Sequence, residues 1–68
     1  MSISIYLNGE PRTATQGQTI LELLRSLEID PQRVAIEMDR RIVKQPNWGS
    51  TELHEGAQVE IVQFVGGG

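Results

Sequence analysis

The sequence contains no cysteine among its 68 residues. A chain without thiols can form neither a disulfide nor a thiolate zinc site, and it cannot hold sulfur as a persulfide. A single histidine, His54, lies in a turn-like His-Glu-Gly segment, where a solvated side chain with no partner is expected. Since no acid, base or metal-ligating residues converge in the pattern, we predict that the chain is not itself an enzyme and binds no metal or cofactor.

Long apolar runs and an excess of positive charge are also missing. No stretch approaches the ~20 apolar residues of a membrane span, and the first residues lack the basic and apolar regions of a secretory signal. Six Lys and Arg against nine Asp and Glu give a net charge of -3, opposite to the basic surface that binds phosphate backbones. We therefore expect a cytoplasmic protein that has neither a membrane nor a nucleic acid as its partner.

Alternation and turn residues predict a hairpin at the start of the chain. Residues 2 to 7 alternate polar and apolar side chains, which is typical of a strand with one buried face. Asn8-Gly9 follows directly and favours a type I′ turn. Because Pro11 cannot donate a ladder hydrogen bond, the returning strand over residues 10 to 15 is placed at an edge of the sheet.

A helix is predicted after this hairpin. Thr19 and Glu22 have the spacing of a capping box, so the helix should begin at Ile20. Apolar residues then recur at i, i+3, i+4 and i+7, a stripe that can pack on a sheet. Pro31 limits the helix to about Ile29.

The second half of the chain is predicted to add three strands, over residues 34–38, 41–43 and 58–65. Asp39-Arg40 forms the turn between the first two, and Trp48 and Leu53 anchor the loop that follows, with one turn of helix near Trp48. The last strand is rich in β-branched residues, which favours a central position.

These elements together predict an α+β, β-grasp (ubiquitin-like) fold. The helix becomes a crossover on one face of a mixed sheet of four to five strands, with the first and last strands central and parallel. The folded domain is predicted over residues 1–65, and residues 66–68 form a flexible C-terminal glycine tail.

The order and spacing of several segments resemble one known family. The segments are Leu7-Asn8-Gly9-Glu10, Gly17-Gln18-Thr19-Ile20 with Leu23-Leu24, Val34-Ala35-Ile36-Glu37, Ile42-Val43, Trp48, and Val62-Gln63-Phe64-Val65-Gly66-Gly67-Gly68. Together they resemble the ThiS family of sulfur carrier proteins over essentially the whole chain. The feature most informative about function is the glycine tail that follows a final strand.

The resemblance implies that the Gly68 carboxylate is the reacting group. A separate ThiF-like adenylyltransferase would activate it with ATP and magnesium, since this chain has no Gly-Lys-Ser/Thr phosphate-binding loop. Sulfur from a persulfide donor, a cysteine desulfurase, would then replace AMP. The resulting Gly68 thiocarboxylate would deliver sulfur to a ThiG-like thiazole synthase in thiamin biosynthesis.

The residues around the tail are interpreted as a surface for these partners. Gly66 and Gly67 lack Cβ atoms and so can pass through a channel too narrow for other residues. By alternation, Tyr6, Val62 and Phe64 should share the sheet face opposite the core and form an exposed apolar patch. We interpret this patch as a docking surface, although scattered surface residues, or residues partly covered by the loop after the fourth strand, would give the same pattern.

Three other functions are compatible with the sequence. A MoaD-like carrier of molybdopterin synthesis would share the fold and the thiocarboxylate. A ubiquitin-like modifier would instead join Gly68 to a lysine of a target protein. A β-grasp binding module would have no chemistry at its terminus, and its glycine tail would be a frayed chain end.

Overall fold

The computed structural model describes residues 1–64, and the predicted positions of Val65 and of the glycine tail lie outside the described residues. The regular elements are β1 (Ser2–Leu7), β2 (Glu10–Thr15), α1 (Ile20–Ser26), β3 (Val34–Met38), β4 (Arg41–Val43) and β5 (Gln58–Gln63). Two single-turn 3₁₀ helices, Pro31–Arg33 and Gln45–Asn47, precede β3 and Trp48. The second of these is the helical turn expected near Trp48, and the first was not predicted.

The five strands form one mixed sheet in the order β2-β1-β5-β3-β4. β1 and β5 are parallel neighbours at the centre, and the other neighbouring pairs are antiparallel. β2 lies at an edge, with Pro11 opposite Tyr6. The predicted β-grasp arrangement is therefore confirmed, including the central position of the first and last strands.

The start of α1 is fixed by the capping box that its sequence predicts. The Thr19 hydroxyl accepts a hydrogen bond from the Glu22 N–H at 3.2 Å, and the Glu22 carboxylate accepts one from the Thr19 N–H at 2.9 Å. Two N–H groups that have no partner within the helix are thereby satisfied. The face of α1 that packs on the sheet consists of Ile20, Leu23 and Leu24.

The end of α1 comes earlier than Pro31 alone requires. The helix stops at Ser26 because Glu28 adopts a left-handed conformation with φ 57°. The Ile29 N–H then donates to the Leu24 carbonyl at 3.0 Å, and the Glu28 N–H donates to the Arg25 carbonyl at 3.1 Å. This is a Schellman ending, in which the left-handed position is usually a glycine.

The core lies between α1 and the sheet face that it covers. Its buried residues are Ile5, Ala14, Ile20, Leu23, Leu24, Val34, Ile36, Trp48, Leu53, Ala57 and Val59. Trp48 and Leu53 are both buried, as predicted, and the Trp48 indole N–H donates to the Val43 carbonyl at 2.6 Å. Within residues 1–64, no helix has the length and hydropathy that a bilayer crossing requires.

Candidate functional site

The sheet face opposite α1 has no helix covering it among the described elements. Tyr6, Val62 and Phe64, predicted to be exposed, have 44%, 57% and 59% of their surface accessible. A fourth apolar side chain, Ile42, is 75% accessible. Ile42 was not predicted as part of the patch, although its place in β4 between the inward Val43 and the turn could have indicated it. We call Tyr6, Ile42, Val62 and Phe64 the apolar patch.

Phe64 directly follows β5 and is the last residue that the structure describes. Its N–H donates to the Arg33 carbonyl at 2.8 Å, one residue beyond the last paired residue of β5. Phe64 also lines a shallow groove together with Ala35 and Ile42, so the apolar patch continues across β3 to β4. The tail residues Gly66, Gly67 and Gly68 begin two residues later, and their roles stay predictions.

The Asn8 side chain continues the β1–β5 ladder after β1 has ended. The Asn8 N–H donates to the Val59 carbonyl at 2.8 Å. In a parallel ladder the next bond would join the Ile61 N–H to the main-chain carbonyl of Asn8. The chain turns away instead, with φ 50° at Asn8, and the Asn8 Oδ1 accepts the Ile61 N–H at 2.8 Å. Asn8 thus holds the half of β5 that leads to Phe64.

A shallow groove follows from this geometry. It has a volume of about 560 Å³ and lies where β1 ends beside β5, lined by Tyr6, Asn8, Glu60 and Val62 among others. The groove is open and is formed by the same outer face as the apolar patch. It therefore extends the surface that a partner could cover, from the Asn8 turn to Val62.

His54 is exposed, as expected of a solvated loop residue, but it has a partner that the sequence did not indicate. Its Nε2 lies 2.6 Å from Asp39 Oδ2, while Asp39 Oδ1 accepts the Gln58 N–H at 3.0 Å. The hydrogen bond to Asp39 raises the pKa of His54 above 6.5. The Gln58 N–H, and then His54, lower the pKa of Asp39 below 3.8. The sequence could not reveal this contact because fifteen residues separate the two side chains.

The His54–Asp39 pair is placed to hold a turn and not to react with a tail. Asp39 and Arg40 both have positive φ, 52° and 68°, in the β3–β4 turn. Gln58 begins β5, whereas Phe64 follows its other end. Among residues 1–64 no group of three or more His, Asp or Glu side chains is arranged to hold a metal ion.

Comparison with known proteins places these features in a family. The model of the ThiS family matches residues 5–68. The sulfur carrier protein ThiS of Bacillus subtilis is 36% identical over 65 residues, which are 94% of this chain and 98% of that protein. The crystal structure of the thiamine biosynthesis protein ThiS from Geobacter metallireducens superposes with a TM-score of 0.84 at 26% identity, covering 97% of this chain and 100% of that one.

A second kind of relative is much longer. A thiazole synthase of Magnetococcus marinus is 41% identical over 66 residues, which are 97% of this chain but 20% of that protein. A thiazole synthase of Paramagnetospirillum magneticum is 33% identical over the same length and share. The chain thus spans about a fifth of the length of these two curated relatives, which contain a domain similar to it.

Proposed function

Because this chain belongs to the ThiS family of sulfur carrier proteins in thiamin biosynthesis, we propose that its Gly68 carboxylate carries sulfur as a thiocarboxylate. The observation that supports this proposal most directly is the family match, which runs through the glycine tail to residue 68. The chain serves as a cosubstrate that partner enzymes load and discharge.

Loading requires activation because a carboxylate is a poor electrophile. A ThiF-like enzyme transfers AMP from ATP to the Gly68 carboxylate, with magnesium, and releases pyrophosphate. The terminal sulfur of a cysteine desulfurase persulfide then attacks the acyl carbon, and AMP leaves. A thiol cleaves the S–S bond of the acyl persulfide, which leaves the thiocarboxylate and a disulfide. The chain has no cysteine of its own for any of these steps.

The length of the tail determines where such a partner must bind. Four residues separate Phe64 from the carboxylate, and four residues span at most about 14 Å when extended. The activating enzyme must therefore bring its reactive centre within that distance of the end of β5. Phe64 and Val62 lie at this end, so their part of the apolar patch is the surface that we assign to the enzyme.

Discharge of the sulfur is assigned to a ThiG-like thiazole synthase. The support is that two relatives named thiazole synthase contain a domain similar to this chain. Two activities that occur in one polypeptide act in proximity, and the separate chain would reach the same surface by docking. A thiocarboxylate sulfur is ionised at neutral pH and nucleophilic, so it can attack an electrophilic carbon of the thiazole precursor.

The proposal is tested by intact-mass measurement with fragmentation of the C-terminus. The protein is incubated with a ThiF-like enzyme, ATP, magnesium and a sulfide source. We expect one oxygen of Gly68 to be replaced by sulfur, and thiazole synthase should then remove that sulfur. An unchanged mass with an enzyme that activates another ThiS protein would overturn the proposal.

Two variants separate the chemistry of the tail from the fold. Gly67→Ala adds a Cβ where the tail enters the partner, and it should block loading while the free protein unfolds at the same urea concentration. Gln16→Ala changes an exposed residue that follows β2, a strand separated from β5 by β1, and should load normally. Isopeptide adducts to target lysines, or transfer of sulfur to a pterin acceptor in place of thiazole synthase, would indicate the modifier or the MoaD-like function.

A further inference from the structure

Two glutamates lie opposite one another in the middle of the exposed sheet face. In the antiparallel β3–β5 ladder, Glu37 is in register with Glu60. Their chain neighbours Ile36 and Val59 are buried against α1, so both carboxylate side chains project from the outer face. Side chains that are directly opposite in such a ladder have Cβ atoms about 5 Å apart.

Nothing described in the fold compensates this pair of like charges. Like charges directly opposite in a sheet destabilise it. The ion pairs among residues 1–64 are Arg33–Asp30 and His54–Asp39, and neither involves the two glutamates. The neighbour of Glu37 in β4 on the same face is Ile42, which has no charge. Glu37 and Glu60 therefore form no ion pair within residues 1–64.

The surroundings of the pair are apolar. Ile42 lies beside Glu37, and Val62 follows Glu60 by two residues on the same face. Both side chains are more than half exposed, and Glu60 and Val62 also line the groove beside Asn8. A partner that covers this face must bury apolar side chains and, at its centre, meet two carboxylates.

We propose that Glu37 and Glu60 receive a basic side chain, an arginine or a lysine flanked by apolar residues, on the adenylating enzyme. This inference rests on the proposed function and adds to it the residues that select the partner. The planar fork of an arginine can pair with carboxylates through two N–H groups and is well suited to span the pair. The bound basic group removes the repulsion that the free chain tolerates.

Charge and tail length favour this occupant over others. In a face-to-face dimer, a second copy of the chain would bring four carboxylates together. The two chains would also repel each other, because each has a net charge of -3. Phe64 belongs to the apolar patch, and the four residues that follow Phe64 reach at most about 14 Å. The protein that holds the Gly68 carboxylate in its active site must therefore reach the end of β5, where Val62 and Phe64 are exposed on this face.

The test compares binding with stability in the same variants. Glu37→Gln and Glu60→Gln are made singly and together, and Glu10→Gln serves as the control because Glu10 is exposed on β2, opposite Leu7 and away from this face. The dissociation constant for the ThiF-like enzyme is measured by calorimetry at low and high salt, and urea unfolding is measured on the free protein.

We expect the double variant to bind at least tenfold more weakly than the wild type, to lose most of the salt dependence of binding, and to unfold at an equal or higher urea concentration. The Glu10→Gln control should match the wild type in affinity, in the salt dependence of binding and in the urea concentration at which it unfolds. Equal affinity of the double variant and the wild type, or equal salt dependence, would overturn the inference.

The mass assay separates this failure from that of the proposed function. If the wild type acquires the thiocarboxylate while the double variant binds and loads equally well, only the role of the two glutamates is refuted. If the wild type is neither bound nor loaded by an active enzyme, the proposed function fails, and the inference that rests on it fails as well.

Discussion

Replacing Asn8 tests how the strand that leads to the tail is held in place. The Asn8 Oδ1 accepts the Ile61 N–H at 2.8 Å, and the Nδ2 donates to the Ile61 carbonyl at 3.4 Å. Asn8→Gly removes both bonds but keeps the positive φ of 50° accessible. It therefore removes the side-chain bridge without straining the turn.

The expected cost follows from these two contacts. The shorter bond is exposed, so water can replace the lost acceptor, and its removal costs about 0.5–1.5 kcal/mol. The added glycine increases the entropy of the unfolded chain by a further ~0.5 kcal/mol. A domain of 68 residues has a total stability of roughly 3–10 kcal/mol at ~0.05–0.15 kcal/mol per residue. The loss should therefore be easy to measure.

Urea unfolding and amide hydrogen exchange together provide the assay. Asn8→Gly should lower the free energy of unfolding by about 1–2 kcal/mol. The Ile61 amide should exchange faster relative to the Phe64 amide, which donates to Arg33 on the other side of β5. Asn8→Asp keeps an oxygen acceptor for the Ile61 N–H, so its free energy of unfolding should fall by less than that of Asn8→Gly.

Two results would refute this reasoning. If Asn8→Gly unfolds at the same urea concentration as the wild type, and the Ile61 amide exchanges equally slowly in both, the side chain does not hold β5. If Asn8→Asp and Asn8→Gly lose the same stability, the carboxamide acts through its donor or through the turn, and not through the acceptor for Ile61.

Three further predictions concern stability. Glu28→Gly should stabilise the fold by about 0.5–1 kcal/mol in urea unfolding, because Glu28 has a left-handed conformation, φ 57°, that glycine adopts without a penalty. If Glu28→Gln stabilises the fold equally, the effect comes from the charge of Glu28 and not from the backbone. Trp48→Phe should cost about 1–3 kcal/mol by calorimetric melting, since the Val43 carbonyl loses its 2.6 Å donor, and an unchanged melting temperature would contradict this. His54→Gln should cost no more than about 1 kcal/mol, because the pair with Asp39 is exposed.

The pH dependence of the His54–Asp39 pair has a defined sign. The raised pKa of His54 contributes stability that is fully present below pH 6.5 and is lost as the pH rises through the folded-state pKa. The lowered pKa of Asp39 contributes stability that is present above pH 3.8 and is lost as the pH falls through its folded-state pKa. Unfolding of wild type and His54→Gln should therefore differ most between these two pH values, and a difference that grows above pH 7 would contradict the pairing.

Local patterns were sufficient for most of the fold. The capping box of Thr19 and Glu22, the Asn8-Gly9 turn and the alternation in β1 each act over a few residues, and the structure confirms all three. Pro11 correctly placed β2 at the edge. The early end of α1 was not predicted, because a glutamate at the left-handed position gives no signal of the kind that a glycine gives.

The order of the elements, the inward and outward faces of the strands, and the tail on which the proposed chemistry depends can all be read from the amino-acid sequence. These properties follow from side-chain period, turn residues and chain connectivity, which are local. The folded chain is needed to show that Glu37 faces Glu60, that Asn8 bonds to Ile61 and that His54 contacts Asp39. Each of these contacts depends on the register between strands or on the approach of distant loops, which packing of the whole core fixes and no short segment specifies.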